Sequence, residues 1–187
     1  MKRHESFDKR QRSGEPFAMP PRTPSSLALD DRDIRILSIL SQDGRIAKAE
    51  LARRVNLSAA PCWERLNRLE AAGLIRHYRA EIALAKLAPH VTVFVMIELE
   101  HHRAESFQTF ERAMARHEEI VGCWALGGGF DYLLSVITPS IDSYQRLIDG
   151  LLESSIGLKR YFTYIVTKEV KAGPPPLEAL VAAQQKI

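Results

Sequence analysis

The chain has 187 residues, 45% hydrophobic and 26% charged. That is a globular composition, long enough for one ordinary domain or two small ones. Cys62 and Cys123 are too few for a disulfide framework, no apolar run approaches a membrane span, and the N-terminal segment lacks the apolar stretch of a secretory signal. A cytoplasmic protein with no membrane partner is the expectation. The net charge of +3 conceals a gradient: residues 1–28 and 29–90 each carry +3, and residues 91–187 carry −3. The split suggests two modules with different partners, the front one able to face a polyanion, although an ordinary solvated surface would look the same.

Residues 1–28 are proline-rich and polar with no sustained period, which predicts a flexible basic arm. Order is expected from Leu29. Asp30 and Asp31 suit the N-cap and first turn of a helix in which Ile34, Leu37, Ile39 and Leu40 recur at helical spacing up to Gly44. A second short helix is expected over about 48–54. Asn56-Leu57-Ser58 makes a tight turn, Ser58 caps a third helix with Pro61 in its first turn, and Gly73 ends it. Cys62, Leu66 and Leu69 form the apolar stripe of that helix. Ala60, Glu64, Asn67 and Arg68 lie opposite, with Trp63 and Arg65 on the flanks. Residues 74–82 read as extended, a small wing hairpin.

The period then changes. Val91, Val93, Val95, Ile97 and Leu99 alternate as a strand with one apolar face. A helix over 106–117 follows, then strands over 120–126 and 132–138, a helix over 141–152 and a strand over 159–170. The order β-α-β-β-α-β is that of the ferredoxin-like unit. The fold class is therefore α+β. The expected domains are the arm 1–28, a winged helix-turn-helix 29–83, a linker 84–90, a ferredoxin-like βαββαβ domain 91–171 and a Pro-rich tail 172–187 to which no role is given.

Three short helices with a tight turn before the third make a helix-turn-helix, whose third helix enters the major groove with its N-terminal residues facing base edges. Ser58, Ala59 and Ala60 allow close approach; Trp63, Glu64, Asn67 and Arg68 supply side chains that reach. Arginine and asparagine have the geometry for bidentate contacts with guanine and adenine, so Arg68 is expected on a base and Arg65 mainly on a phosphate. Arg53, Arg54, Arg76 and Arg79 could also reach phosphates and set the docking pose. A purely structural helical unit with solvated arginines is the alternative.

The stretch Leu29-Asp30, Asp43-Gly44-Arg45, Glu50-Leu51-Ala52, Val55-Asn56-Leu57-Ser58, Pro61-Cys62-Trp63-Glu64-Arg65-Leu66 and Gly73-Leu74-Ile75 resembles the Lrp/AsnC feast-famine regulators. Gly128-Gly129-Phe130-Asp131-Tyr132-Leu133-Leu134, Thr163-Tyr164 and Glu169-Val170-Lys171 resemble the same family. The resemblance covers roughly residues 29–171. It implies a transcriptional regulator tuned by a small molecule, usually an amino acid, that binds double-stranded DNA as a homodimer and often as a ring of dimers. Members often carry an acid where Gly129 stands, available to an effector's amino group; here it is missing, which argues against leucine-like recognition.

The expected effector site is the loop Gly127, Gly128, Gly129, Phe130, Asp131 and Tyr132. Glycine permits positive φ and close backbone approach, so free N–H groups could accept a carboxylate; a bare hairpin turn is the other reading. Asp131 could serve a ligand ammonium or the neighbouring backbone. The absent acid at Gly129 favours a neutral or hydroxyl-bearing amino acid over a basic one. His101 and His102 read as a solvated pair, so no metal is expected. No nucleophile-base-orienter set can be assembled, which argues against an enzyme and leaves no catalytic residue or cofactor to name. The alternative function is a nucleoid-architectural protein of the same fold without an effector response.

Overall fold

The computed structural model describes residues 27–184, so most of the expected basic arm and the last three residues of the tail lie outside the described residues. The first helix, α1 (Asp31–Gln42), opens on a reciprocal cap. The Asp33 N–H donates to the Asp30 carboxylate at 2.9 Å, and the Asp30 N–H donates back to Asp33 at 3.1 Å. Next come α2 (Lys48–Arg54) and α3 (Ala59–Ala71). Both α2 and α3 end the same way. The Leu57 N–H donates to the Ala52 carbonyl and the Leu74 N–H to the Leu69 carbonyl, with Asn56 and Gly73 at positive φ between them. Such closures satisfy the last carbonyls in two residues and make the connections short. Ser58 stands at the N-cap of α3, but its side chain makes no capping bond.

Ile36, Ile39, Leu51, Val55, Cys62, Leu66 and Leu69 bury one core between these helices. Residues 74–82, where the wing is expected, bend at 74 and 75 and form no hydrogen-bonded ladder. The stretch has no Gly, Pro or Asn to turn it back on itself. Instead Tyr78 fastens it to α3 by donating to Glu70 at 2.8 Å. The connector that follows holds one helical turn, α4 (Leu84–Leu87).

The back half has the order β1 (Val91–Leu99), α5 (Ala104–Met114), β2 (Ile120–Ala125), β3 (Tyr132–Thr138), α6 (Ile141–Glu153) and β4 (Leu158–Ile165). The strands form one antiparallel sheet in the order β2-β3-β1-β4, the ferredoxin-like arrangement. Val93, Val95, Ile97, Leu134 and Val136 face Phe110, Met114, Tyr144, Ile148 and Leu151 of the two helices. β4 stops at Ile165, short of the expected 170, because Ile165 already lies opposite Val93 and β1 begins only two residues beyond.

A last helix, α7 (Leu177–Gln184), follows three prolines and was not legible from spacing. It returns to the front half and packs on α1, with Glu178, Val181 and Ala182 beside Asp31, Ile34 and Arg35. This explains Ile34. It is only 7% exposed yet stands about 200° around the helix from Ile36, on the side turned away from the front core. Ile34 therefore does not belong to the stripe of Leu37, Ile39 and Leu40; the C-terminal helix covers it.

Candidate nucleic-acid interface and effector loop

The outer side of α3 is free. Ala59, Ala60, Trp63, Glu64, Asn67 and Arg68 are exposed, while Cys62, Leu66 and Leu69 fix the helix from beneath. The two small residues at the N-terminal end let the helix backbone approach a surface closely, and the longer polar groups follow one turn later. Ser58, just before them, is exposed as well. Trp63, 42% exposed, does not swing freely: the Lys48 ammonium lies over its ring, 3.3 Å from the centroid. Lys48, Leu51, Ala60 and Trp63 border a shallow apolar groove between α2 and α3. Nothing in the spacing signalled Lys48, which lies fifteen positions before the residue it touches.

Of the arginines expected at phosphates, Arg53 is held by Glu50 through two bonds of 2.8 and 2.7 Å. Arg54, Arg76 and Arg79 are exposed, and Arg79 leans on His77. Arg65 and Arg68 have a partner that spacing did not reveal. Asp33 is fully buried; its Oδ1 accepts from Arg65 Nη1 at 2.9 Å and its Oδ2 from Arg68 Nη2 at 2.6 Å. Arg65 also pairs with Asp30 at 2.7 Å. Hydrogen bonds to Asp30 and then Asp33 push the Arg65 guanidinium further up, and the Asp30 carboxyl is held below its usual range, mainly by the Asp33 backbone N–H. Both arginines tie α3 to the start of α1. Cys62 beside them is buried, and burial raises its thiol, so it is a packing group rather than a nucleophile.

The glycine loop joins β2 to β3. Gly127, Gly128 and Gly129 are exposed, Gly128 has φ +152, and a Cβ at Gly128 or Gly129 would meet no atom within 4 Å. The backbone is thus accessible, but the loop's one acid faces elsewhere. Asp131 Oδ2 accepts the Leu99 N–H at 2.8 Å, and the carboxylate pairs with His102 Nε2 at 3.0 Å. The Asp131 N–H donates to the Ile97 carbonyl, and its carbonyl accepts from Leu126. Asp131 therefore serves the neighbouring backbone, and His102, though exposed to solvent as expected, is also its partner. Tyr132 also turns away from the rim: it is 3% exposed, stacks on Phe110 with centroids 4.6 Å apart and donates to Glu111 at 2.8 Å. Burial pushes its phenol up.

Phe130 does point outward along the sheet. Its ring meets Phe162 edge-on at 5.4 Å, and the Arg160 guanidinium lies 5.8 Å from its centroid. Arg160 and Lys159 both hold Glu98, 4% exposed, which keeps that carboxyl below its usual range. On the same sheet face, away from the helices, Phe94, Trp124, Phe162 and Tyr164 are 38–52% exposed. Trp124 lies flat across Gly122, where any side chain would collide with it. No helix among the described residues is long and apolar enough to cross a membrane.

Comparison with known proteins gives a consistent result for both halves. Residues 29–76 match the family model described as winged helix-turn-helix DNA-binding, and residues 92–176 match that of the Lrp/AsnC ligand binding domain. The transcriptional regulatory protein DoeX of Halomonas elongata is 52% identical over 145 residues, 78% of this chain and 92% of the relative. The leucine-responsive regulatory protein of Escherichia coli is 40% identical over 143 residues, 76% and 87% of the two chains. A crystal structure of a transcriptional regulator from Neisseria meningitidis in complex with L-methionine superposes with a TM-score of 0.76 at 30% identity. The match covers 82% of this chain and 99% of that one.

Proposed function

The chain belongs to the Lrp/AsnC family of transcriptional regulators, and from that premise we propose that it binds specific DNA sequences as a homo-oligomer whose assembly or DNA affinity responds to an amino acid or a close analogue. One observation carries the reading. A helix packed on its inner side and bare on its outer side belongs to the same chain as a domain with an open glycine loop and an uncovered aromatic sheet face.

In this reading Ala59 and Ala60 admit α3 to the major groove, and Trp63, Glu64 and Asn67 read base edges there. Asparagine suits adenine, glutamate accepts from cytosine, and the tryptophan offers apolar contact to a thymine methyl. Arg54, Arg76 and Arg79 supply phosphate contacts from the flanks. One short half-site discriminates poorly, so two copies are needed. An exposed apolar patch of this kind is what a partner covers, and the row of Phe94, Trp124, Phe162 and Tyr164 supports pairing of two such sheets. Higher rings of dimers extend the same logic.

In this reading the effector binds at the loop 127–130. Backbone N–H groups of Gly127, Gly128 and Gly129 meet its carboxylate, and Phe130 with Phe162 forms an apolar wall for its side chain. With Gly129 in place of an acid and Asp131 occupied, a neutral or hydroxyl-bearing amino acid fits better than a basic one. The L-methionine bound to the Neisseria relative supports an amino acid of neutral side chain.

The test is selection of bound duplexes from a random pool by the full-length protein. The expected product is an inverted repeat with half-sites about 34 Å, or a multiple of that, apart. Recovery of unrelated sequences at uniform affinity would instead mark an architectural DNA-binding protein.

A further inference from the structure

We propose that Asp33 is a specificity-determining residue: it occupies Arg65 and Arg68 in the place a DNA phosphate would take, and so keeps the recognition helix from binding DNA indiscriminately. The inference rests on the DNA-binding reading of α3 and adds a residue that touches no base.

Asp33 is fully inaccessible, and both of its oxygens accept from guanidinium groups, at 2.9 Å from Arg65 and 2.6 Å from Arg68. Arg65 is 25% and Arg68 43% exposed along their side chains. Each guanidinium is anchored on the buried carboxylate while its side chain stays partly exposed. Arg68 is itself exposed and lies one helical turn after Glu64 on the outer face of α3, so a side chain released from Asp33 can turn toward a backbone phosphate. Two carboxylates, Asp30 and Asp33, offset the two guanidinium groups, leaving Glu64 as the charged group at the centre of the exposed face.

A buried carboxylate competes well with a phosphate. Its attraction acts through a medium of lower dielectric, whereas a phosphate at the surface is screened by water and salt. The pairing therefore discards sequence-independent affinity and leaves discrimination to Ala60, Trp63, Glu64 and Asn67. Without the negative charge of Asp33, one or both guanidinium groups would turn outward to phosphates.

The experiment uses the full-length chain and a random-sequence 30-base-pair duplex, with affinity followed by fluorescence anisotropy across a potassium chloride series. Each freed arginine that gains a phosphate steepens the slope of log affinity against log salt by about 0.9. Asp33→Asn is expected to steepen it by about one to two and to lower the ratio of specific to random binding. Adding Arg68→Gln to Asp33→Asn should return about one unit of that slope. Arg68→Gln alone should leave the slope unchanged, because the arginine is already occupied. A slope that stays constant in a folded Asp33→Asn protein overturns the proposal. A slope that flattens by about one in Arg68→Gln alone also does so, and that arm decides the matter even if Asp33→Asn fails to fold. A purely structural Asp33 would shift the melting temperature without steepening the slope. If the wild-type chain binds no duplex at all, the DNA-binding reading falls first.

Discussion

Asp131 lies at the candidate effector loop, yet the structure gives it a structural task whose size can be worked out. Its Oδ2 accepts the N–H of Leu99, a residue with no exposure, at 2.8 Å. Asp131→Ala leaves that donor without a partner at the end of the central strand. A lost hydrogen bond to a charged group costs about 1.5–3 kcal/mol, and an unsatisfied buried donor costs about 1–3 kcal/mol. The Asp131 side chain is 16% exposed, so water reaches the gap in part and about 2 kcal/mol is the appropriate figure. The bond to the half-exposed His102 adds little. For a domain of this size 1 kcal/mol moves the midpoint by about 4–8 °C, so the back domain should melt about 8–16 °C lower. Asp131→Asn keeps an acceptor oxygen and should lose less than half as much. The assay is thermal unfolding of the full chain followed by Trp124 fluorescence, with Trp63→Phe in the background to silence the front domain. An Asp131→Ala protein that melts with the wild type would refute the reasoning and return the carboxylate to the ligand.

Lys159, with Arg160, holds the Glu98 carboxyl below its ordinary value of 4.5. A lowered carboxyl contributes stability that is complete above that value and is lost as pH falls through the folded-state value. Acid titration of Glu98→Gln should therefore show a lower starting stability at neutral pH and a flatter decline below about pH 4.5. Truncation after Lys171 removes α7 and exposes Ile34; partial loss of its burial costs about 1–2 kcal/mol, visible as faster amide exchange in α1. Unchanged exchange there would show that α7 is not seated on α1 in solution. Trp63→Ala should weaken binding to a selected duplex about tenfold while leaving the salt slope unchanged, since no charge is lost. A change in slope would mean that Lys48, freed from the ring, had moved onto the backbone.

The elements that pack on themselves were legible in the sequence. The stripe Cys62, Leu66 and Leu69, the alternation Val93, Val95, Ile97 and Leu99 and the face Tyr144, Leu147, Ile148 and Leu151 are periodic, and each of these residues is buried as its period predicts. Features that depend on distant partners left no such trace. Asp33 is an acid in a first turn until α3 folds against it, thirty-two and thirty-five residues later. Ile34 joins an apparent stripe until α7 covers it from the other side. Asp131 looks like a loop acid available to a ligand because the Leu99 N–H that claims it is set by strand register, not by spacing. The segment after α3 pairs no strands for a local reason, the absence of Gly, Pro or Asn between 76 and 81. The outer face of α3 was legible because its inner face was.

The central claim couples the two halves: what binds at the glycine loop changes what α3 does on DNA. Its most direct test is a titration of the full-length protein against a selected duplex, by anisotropy, in the presence of each of the twenty amino acids. A coupling free energy of the usual 1–3 kcal/mol predicts that one neutral or hydroxyl-bearing amino acid shifts the DNA dissociation constant by about 5–150-fold, and that Gly128→Asp abolishes the shift while leaving unliganded affinity in place. Identical dissociation constants with all twenty would contradict the account.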